Sequence, residues 1–254
     1  MGIPKVIHIS WINKKILFTS KNPLAINGVQ NMKRLNPEYV IQISDDCDVK
    51  DYVQSCIPND DWLLLKDKNI VEIIDLWRLL KMFHEGGIYT DIDRLCNIPF
   101  RDIIKEDDVC LLPTYFTADF SQDIMISEAG QKIHEKAIEL NLSRRQSGCS
   151  DVLSLGPLTY FHAITLTLCN EQKNRFLEDN EWLKTIKDVE SNKGYRTFLE
   201  RPVADIIYHV SVMYKYDAKF DIGNGGTKKD LYTESKVRHW TEDESSFGNK
   251  IYGR

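Results

Sequence analysis

No run of eighteen apolar residues, the shortest stretch that reads as a bilayer-spanning helix, occurs in the 254-residue chain. The opening residues MGIPKVIHISW also lack the apolar core of a signal peptide. A membrane-anchored enzyme would need such a segment, so the expectation is a soluble, cytoplasmic protein or the trimmed soluble part of a longer one, with no transmembrane segment. Positive charge is not concentrated either. The 33 basic and 38 acidic residues are mixed along the chain, for a net charge of −5. Without a basic stripe, nucleic acid is excluded as the expected partner. No Cys-x-x-Cys pair occurs. Cys47, Cys56, Cys96, Cys110, Cys149 and Cys169 are scattered, which argues against disulfides and predicts reduced, buried thiols. What remains is a chain 42% hydrophobic, long enough to bury a full core as one α/β domain, with or without a smaller helical addition.

The organising stretch runs over residues 69–99, NIVEIIDLWRLLKMFHEGGIYTDIDRLCNIP. Apolar residues at Ile70, Ile73, Ile74, Trp77, Leu80 and Phe83, with Leu76 and Leu79 beside them, have helical spacing and a wide apolar face. This predicts a largely buried helix over 70–83. Asp75 and Arg78, three residues apart, share one of its faces. Buried charge is costly unless paired, so the two either form an ion pair or turn toward a polar pocket. Gly86 and Gly87 end the helix, because one of them can take the left-handed cap that a β-carbon resists. Ile88-Tyr89-Thr90 has strand composition. Asp91 and Asp93 follow at i and i+2, on one side of an extended segment and at a strand's carboxyl end, where open α/β sheets bind ligands. Two carboxylates there suit a hard divalent cation that also grips a diphosphate.

Taken in order, residues 6–11 read as the first strand, 23–35 as a helix stopped by Asn36-Pro37, and 39–43 as a second strand. Asp45-Asp46-x-Asp48 is a solvated cap for a helix over 48–57 rather than a second metal site. Residues 58–67 read as an acidic-aromatic connector. Val109-Cys110-Leu111-Leu112 and Ile124-Met125-Ile126-Ser127 are further strands, while 116–123 has no clear period. Helices are expected over 132–142 and 160–169. Arg144 and Arg145 sit in a basic run that reads as a solvated turn, with a phosphate or acidic-acceptor contact as the alternative. Gly156, in Leu155-Gly156-Pro157, permits close backbone approach to a ligand. The alternation of strand and helix predicts a Rossmann-like, mainly parallel sheet.

IPKVIHISW at the start and DLWRLLKMFHEGGIYTDID in the middle resemble the glycosyltransferases with a DXD sugar-binding region. That family includes yeast-type initiating mannosyltransferases and bacterial capsule and lipooligosaccharide transferases, and is distantly related to the clostridial glucosylating toxins. Its usual text has S/A-D-x-x-R running into Y-G-G-x-Y-x-D-x-D. Here the helix carries Asp75 and Arg78, and His84-Glu85 replaces the tyrosine before the glycines. Clear likeness covers about the first hundred residues. Leu155-Gly156-Pro157 matches the family's T-G-P with leucine for threonine. Arg238-His239-Trp240 is similar to its late H-x-W element, though the family's second tryptophan is missing.

The resemblance implies an α/β fold of GT-A type: a single Rossmann-like nucleotide-sugar-binding domain over 1–254. Residues 1–112 would form the donor-binding core, and 113–254 the acceptor side and closing elements. It implies a metal-dependent retaining transferase that moves a hexose or related sugar from a UDP-sugar or GDP-sugar to a glycan, glycolipid or protein hydroxyl. The source would be bacterial or viral glycan synthesis. Mn2+ or Mg2+ would be held by Asp93, by Asp91 directly or through water, and by His239. Asp75 and Arg78 would hold the sugar's hydroxyls, Asp91 would also touch ribose or sugar, and Gly156 would wall the pocket. Trp11 would stack on the base, a contact of roughly 1–3 kcal/mol, or else pack in the core; His8 reads as a packed histidine. Two other readings stay open: a nucleotide-sugar hydrolase or phosphohydrolase, and a non-catalytic nucleotide-sugar-binding protein.

Overall fold

The computed structural model describes residues 2–15, 23–92, 94–96, 98–112, 114–115, 119–120, 122–169, 179–197 and 207–209. The chain opens with β1 (Val6–Ser10), α1 (Pro23–Leu35), β2 (Val40–Ser44), α2 (Asp46–Cys56), α3 (Asn59–Leu65), α4 (Ile70–His84), β3 (Gly87–Thr90) and β4 (Arg94–Cys96). It continues through β5 (Cys110–Leu112), β6 (Thr114–Tyr115), β7 (Asp119–Phe120), β8 (Ile124–Ser127), α5 (Lys132–Gln146), α6 (Val152–Leu155) and α7 (Pro157–Leu168). The last described elements are α8 (Asp179–Glu190), β9 (Tyr195–Thr197) and β10 (Ile207–His209).

Six strands form one sheet in the order β2-β1-β3-β8-β5-β9. β1 is parallel to β2 and β3, β9 is parallel to β5, and β8 is antiparallel to both of its neighbours. The expected mainly parallel sheet is therefore present, with one reversed strand. Side chains alternate across it as the pleat requires. Tyr89, Cys110, Leu112 and Met125 enter one core with Trp77, Tyr160 and Phe161. Ile88, Leu111, Ile124 and Ile126 enter the other with Ile7, Ile9, Val29 and Phe100.

Two glycines set the entry to β3. Gly86 and Gly87 have φ of 64° and 96°, a region that a β-carbon disfavours. Space forbids a side chain as well. A β-carbon on Gly86 would stand 2.5 Å from the Ala129 nitrogen, and one on Gly87 2.5 Å from Val6 Cγ1. His8 Nε2 donates to the Gly86 carbonyl at 3.0 Å, so His8 is a packed histidine, and burial lowers its pKa.

Several local expectations need correction. The stretch 58–67 contains helix α3, with Asp60 and Asp61 in its first turn and Trp62 and Leu65 buried. Acidic residues favour a helix's amino end, so the charge that suggested a connector is helix-compatible. Helix α5 runs on to Gln146 and absorbs Arg144 and Arg145, since Ile133, Ala137, Asn141 and Arg145 recur every four residues on a buried face. Arg145 is not in a solvated turn. A short hairpin of β6 with β7 occupies part of the stretch read as aperiodic. Helix α2 begins two residues early, because Asp45 caps it: its carboxylate accepts from the Asp48 N–H at 3.1 Å while Asp48 accepts from the Asp45 N–H at 3.0 Å. That reciprocal box is the cap expected of this acidic run. The six cysteines are all free. Cys96 and Cys110 are buried, but Cys47 is exposed, because it lies on the solvent side of α2. Among the described residues, no helix is long and apolar enough to cross a membrane.

Candidate functional site at the carboxyl edge of the sheet

Asp91 leaves β3 at the sheet's carboxyl edge, and its N–H donates to the Asp123 carbonyl at 3.0 Å. Because Asp91 lies two residues after Tyr89, it shares that side chain's face, the one covered by α4. The Tyr89 hydroxyl donates to Asp91 Oδ1 at 2.5 Å. Tyr89 is fully buried, and burial holds its hydroxyl protonated well above its ordinary range.

Helix α4 supplies the rest. Arg78 Nη2 lies 2.7 Å from Asp75 Oδ1, in a pair whose side chains are 8% and 3% exposed. The guanidinium carbon sits 4.8 Å above the centre of the Tyr89 ring, a cation–π position. Arg78 Nη1 donates to the Gln122 carbonyl at 3.1 Å and stands 3.8 Å from Asp91 Oδ1. Of the alternatives open for Asp75 and Arg78, the ion pair is present, and Arg78 also stands within ion-pair distance of Asp91. Burial raises the Asp75 carboxyl to about 6 against the pull of Arg78 and Arg145.

Gly156, between α6 and α7, closes this cluster. A β-carbon there would stand 2.7 Å from Asp75 Oδ2 and 2.7 Å from Gln122 Nε2. The lack of room beside Asp75 and Gln122 calls for glycine here. Trp11 follows β1, and its N–H bonds the Ser44 carbonyl. Since β1 and β3 are parallel, Trp11 emerges at the same edge as Asp91, with its side chain partly buried against the second core. Asp93 and His239 lie outside the described residues.

Tyr89 and Gln122 were not singled out from sequence, and Arg145 was read there only as part of a basic turn. Tyr89 was legible in principle from its two-residue offset to Asp91. Gln122 carried no signal. Arg145 donates to Glu72 Oε2 at 2.8 Å and to the Glu72 carbonyl at 3.0 Å, which fixes the first turn of α4, one turn before Asp75.

The donor chemistry can be tested against a divalent ion. Asp91, its side chain about one-third exposed, offers hard carboxylate oxygen at the strand end, as Mg2+ or Mn2+ prefers. Among the described residues, no group of three or more His, Cys, Asp or Glu is placed to hold a metal. A catalytic Mg2+ takes only one or two carboxylates from the protein and completes its shell with water and phosphate oxygens. Among the described residues, Asp91 supplies one such carboxylate.

Residues 23–110 match the family described as "Glycosyltransferase sugar-binding region containing DXD motif". The match spans Asp75, Arg78, Asp91 and Asp93. No curated protein matches the chain. Among solved structures, "PaToxG Glycosyltransferase" is similar with a TM-score of 0.54 and 20% identity, covering 74% of this chain and 77% of that one; this likeness concerns the fold. Sheet order, strand-end aspartate and matched region agree: residues 23–110 are similar to that DXD-containing sugar-binding region, and the chain shares the α/β fold of the solved glycosyltransferase.

Proposed function

We propose that the protein is a metal-dependent retaining glycosyltransferase that moves a hexose or related sugar from a UDP-sugar or GDP-sugar to a hydroxyl of a glycan, glycolipid or protein. The observation that carries this reading is the buried Asp75–Arg78 pair turned toward Asp91 at 3.8 Å. A buried ion pair costs desolvation energy and is weak evidence of stabilisation alone, so its position at a strand-end carboxylate points to use.

In this reading residues 1–112 form the donor half and 113–254 the acceptor side. Asp93 and Asp91 would hold Mn2+ or Mg2+, with His239 as a further ligand; when bound, the ion supplies Lewis-acid stabilisation of the leaving diphosphate. Arg78 presents planar donors in fixed directions to sugar oxygens, and Asp75, paired with Arg78, accepts from sugar hydroxyls. Together they orient the anomeric carbon, an effect of positioning. Tyr89 holds Asp91 in its rotamer, Gly156 lets its turn pack directly against Asp75 and wall the pocket, and Trp11 stacks on the base.

The test is calorimetry with a panel of UDP- and GDP-sugars, with and without Mn2+, on the parent and on Asp93→Ala. One donor is expected to bind in a metal-dependent way that the variant loses. Absence of binding by every donor overturns the reading, and release of free sugar at full rate without acceptor would instead favour a hydrolase.

A further inference from the structure

Four interior or half-buried arginines have described side chains. Arg78 meets Asp75 and Asp91, Arg145 meets Glu72, and Arg196 grips Asp108. Arg144 differs. Its Nη1 donates to the Ser154 carbonyl at 2.6 Å and to Thr159 Oγ1 at 2.6 Å, and its Nη2 donates to His162 Nδ1. All three partners are neutral, and among the described residues no carboxylate lies within ion-pair distance. Desolvation pulls the Arg144 pKa down, the expected sign for a cation removed from water without a counter-charge.

The position is specific. Ser154 and Thr159 flank Gly156, so the guanidinium brackets the turn that abuts Asp75. Thr159 belongs to the first turn of α7, whose amino end adds positive dipole. The neutral bonds fix the orientation of the fork, yet they leave its charge uncompensated. A purely structural clamp on these partners needs donors, not a charge.

We propose that Arg144 is the anion-recognition residue of an acceptor subsite beside Gly156, taking a phosphate or carboxylate carried by the acceptor. Arg144 supplies the charge and the planar donors that match such oxygens, and Ser154, Thr159 and His162 hold it in place. The assignment of this neighbourhood to the acceptor side rests on the glycosyltransferase reading. The presence of an anion site at Arg144 does not.

The experiment is calorimetric titration of the full chain with inorganic phosphate, alone and with Mn2+ plus saturating UDP or GDP. The parent is expected to bind phosphate saturably, and Arg144→Gln at least about tenfold more weakly. Arg144→Lys, which keeps the charge but loses the fork, is expected in between and serves if the glutamine variant does not fold. Phosphate affinity is expected to change less than about twofold when nucleotide is bound. Equal phosphate binding by parent and both variants overturns the site. Competition between phosphate and nucleotide overturns the acceptor assignment, because the anion is then the donor's own diphosphate. Failure of the parent to bind any nucleotide sinks the transferase reading while the phosphate titration still decides for or against Arg144.

Discussion

The Tyr89 hydroxyl donates to Asp91 Oδ1 at 2.5 Å from within the core, so the carboxylate at the strand end is aimed by a buried residue on its own strand. Hydrogen bonds to charged groups contribute about 1.5–3 kcal/mol. Tyr89→Phe keeps the ring beneath Arg78 and removes only this bond. The expected result is an unchanged fold with metal-dependent donor binding weakened about tenfold or more. Calorimetry with Mn2+ and the preferred donor checks it, and an unaltered affinity means Asp91 needs no aiming.

The Asp75–Arg78 pair carries a stability prediction. Removing one partner of a buried ion pair costs about 3–5 kcal/mol, because a charge is left buried without its counter-ion. Arg78→Ala is therefore expected to lower stability by about that amount, while Asp75→Asn with Arg78→Gln costs less than the sum of the two single changes. Urea unfolding of Asp75→Asn, Arg78→Gln and their combination measures the coupling. Strict additivity would show that the pair does not interact at 2.7 Å as its geometry requires.

How far the sequence discloses this site depends on the range of the interactions. The helix over Ile70–His84 is legible because its period is local, and Gly86 and Gly87 because a chain reversal leaves few other residue types able to serve. The register that sets Asp91 at an edge follows from strand alternation two residues after Tyr89. Arg145 was not legible. Its partner Glu72 lies 73 positions away, and a basic pair beside Ser147-Gly148 looks like any solvated turn. Gln122 likewise enters only through tertiary contact, since the atoms it offers are a backbone carbonyl to Arg78 and an amide beside Gly156. Helix α3 escaped notice because Asn59, Asp60 and Asp61 serve a loop and a first helical turn equally well.

Gly156→Ala tests the space beside Asp75. The new β-carbon would stand 2.7 Å from Asp75 Oδ2 and from Gln122 Nε2, closer than contact allows. Gln122 can swing away, but Asp75 is pinned by Arg78. Overpacking of this kind costs about 1–3 kcal/mol, and here it falls on the residue that would read the sugar. The expected result is weaker binding of the nucleotide-sugar by about tenfold with binding of the free nucleoside diphosphate unchanged. An equal loss for both ligands would move Gly156 from the sugar to the nucleotide.

His134 makes stability depend on pH. It is fully buried, hydrogen-bonded through Nε2 to Ser127 Oγ at 2.8 Å, and stacked on Tyr160. Burial lowers its pKa to about 3 from 6.5. Between those values the unfolded chain binds the extra proton and the folded chain does not, so stability falls as pH drops below 6.5. Asp75 acts in the opposite sense, because its folded pKa of about 6 exceeds the unfolded 3.8, so its protonation favours the folded state as pH falls from 6 toward 3.8. Replacing His134 by Phe together with Ser127→Ala removes both halves of the buried polar pair while keeping an aromatic ring against Tyr160. Relative to the parent, this double variant is expected to gain stability as pH falls, by up to about 1.4 kcal/mol per unit. Urea midpoints at several pH values between 6.5 and 4.5 read the difference. Parallel curves for the two proteins would mean that His134 accepts its proton in the folded state as readily as in the unfolded chain, and that the neutral Ser127–His134 pair is not what burial maintains.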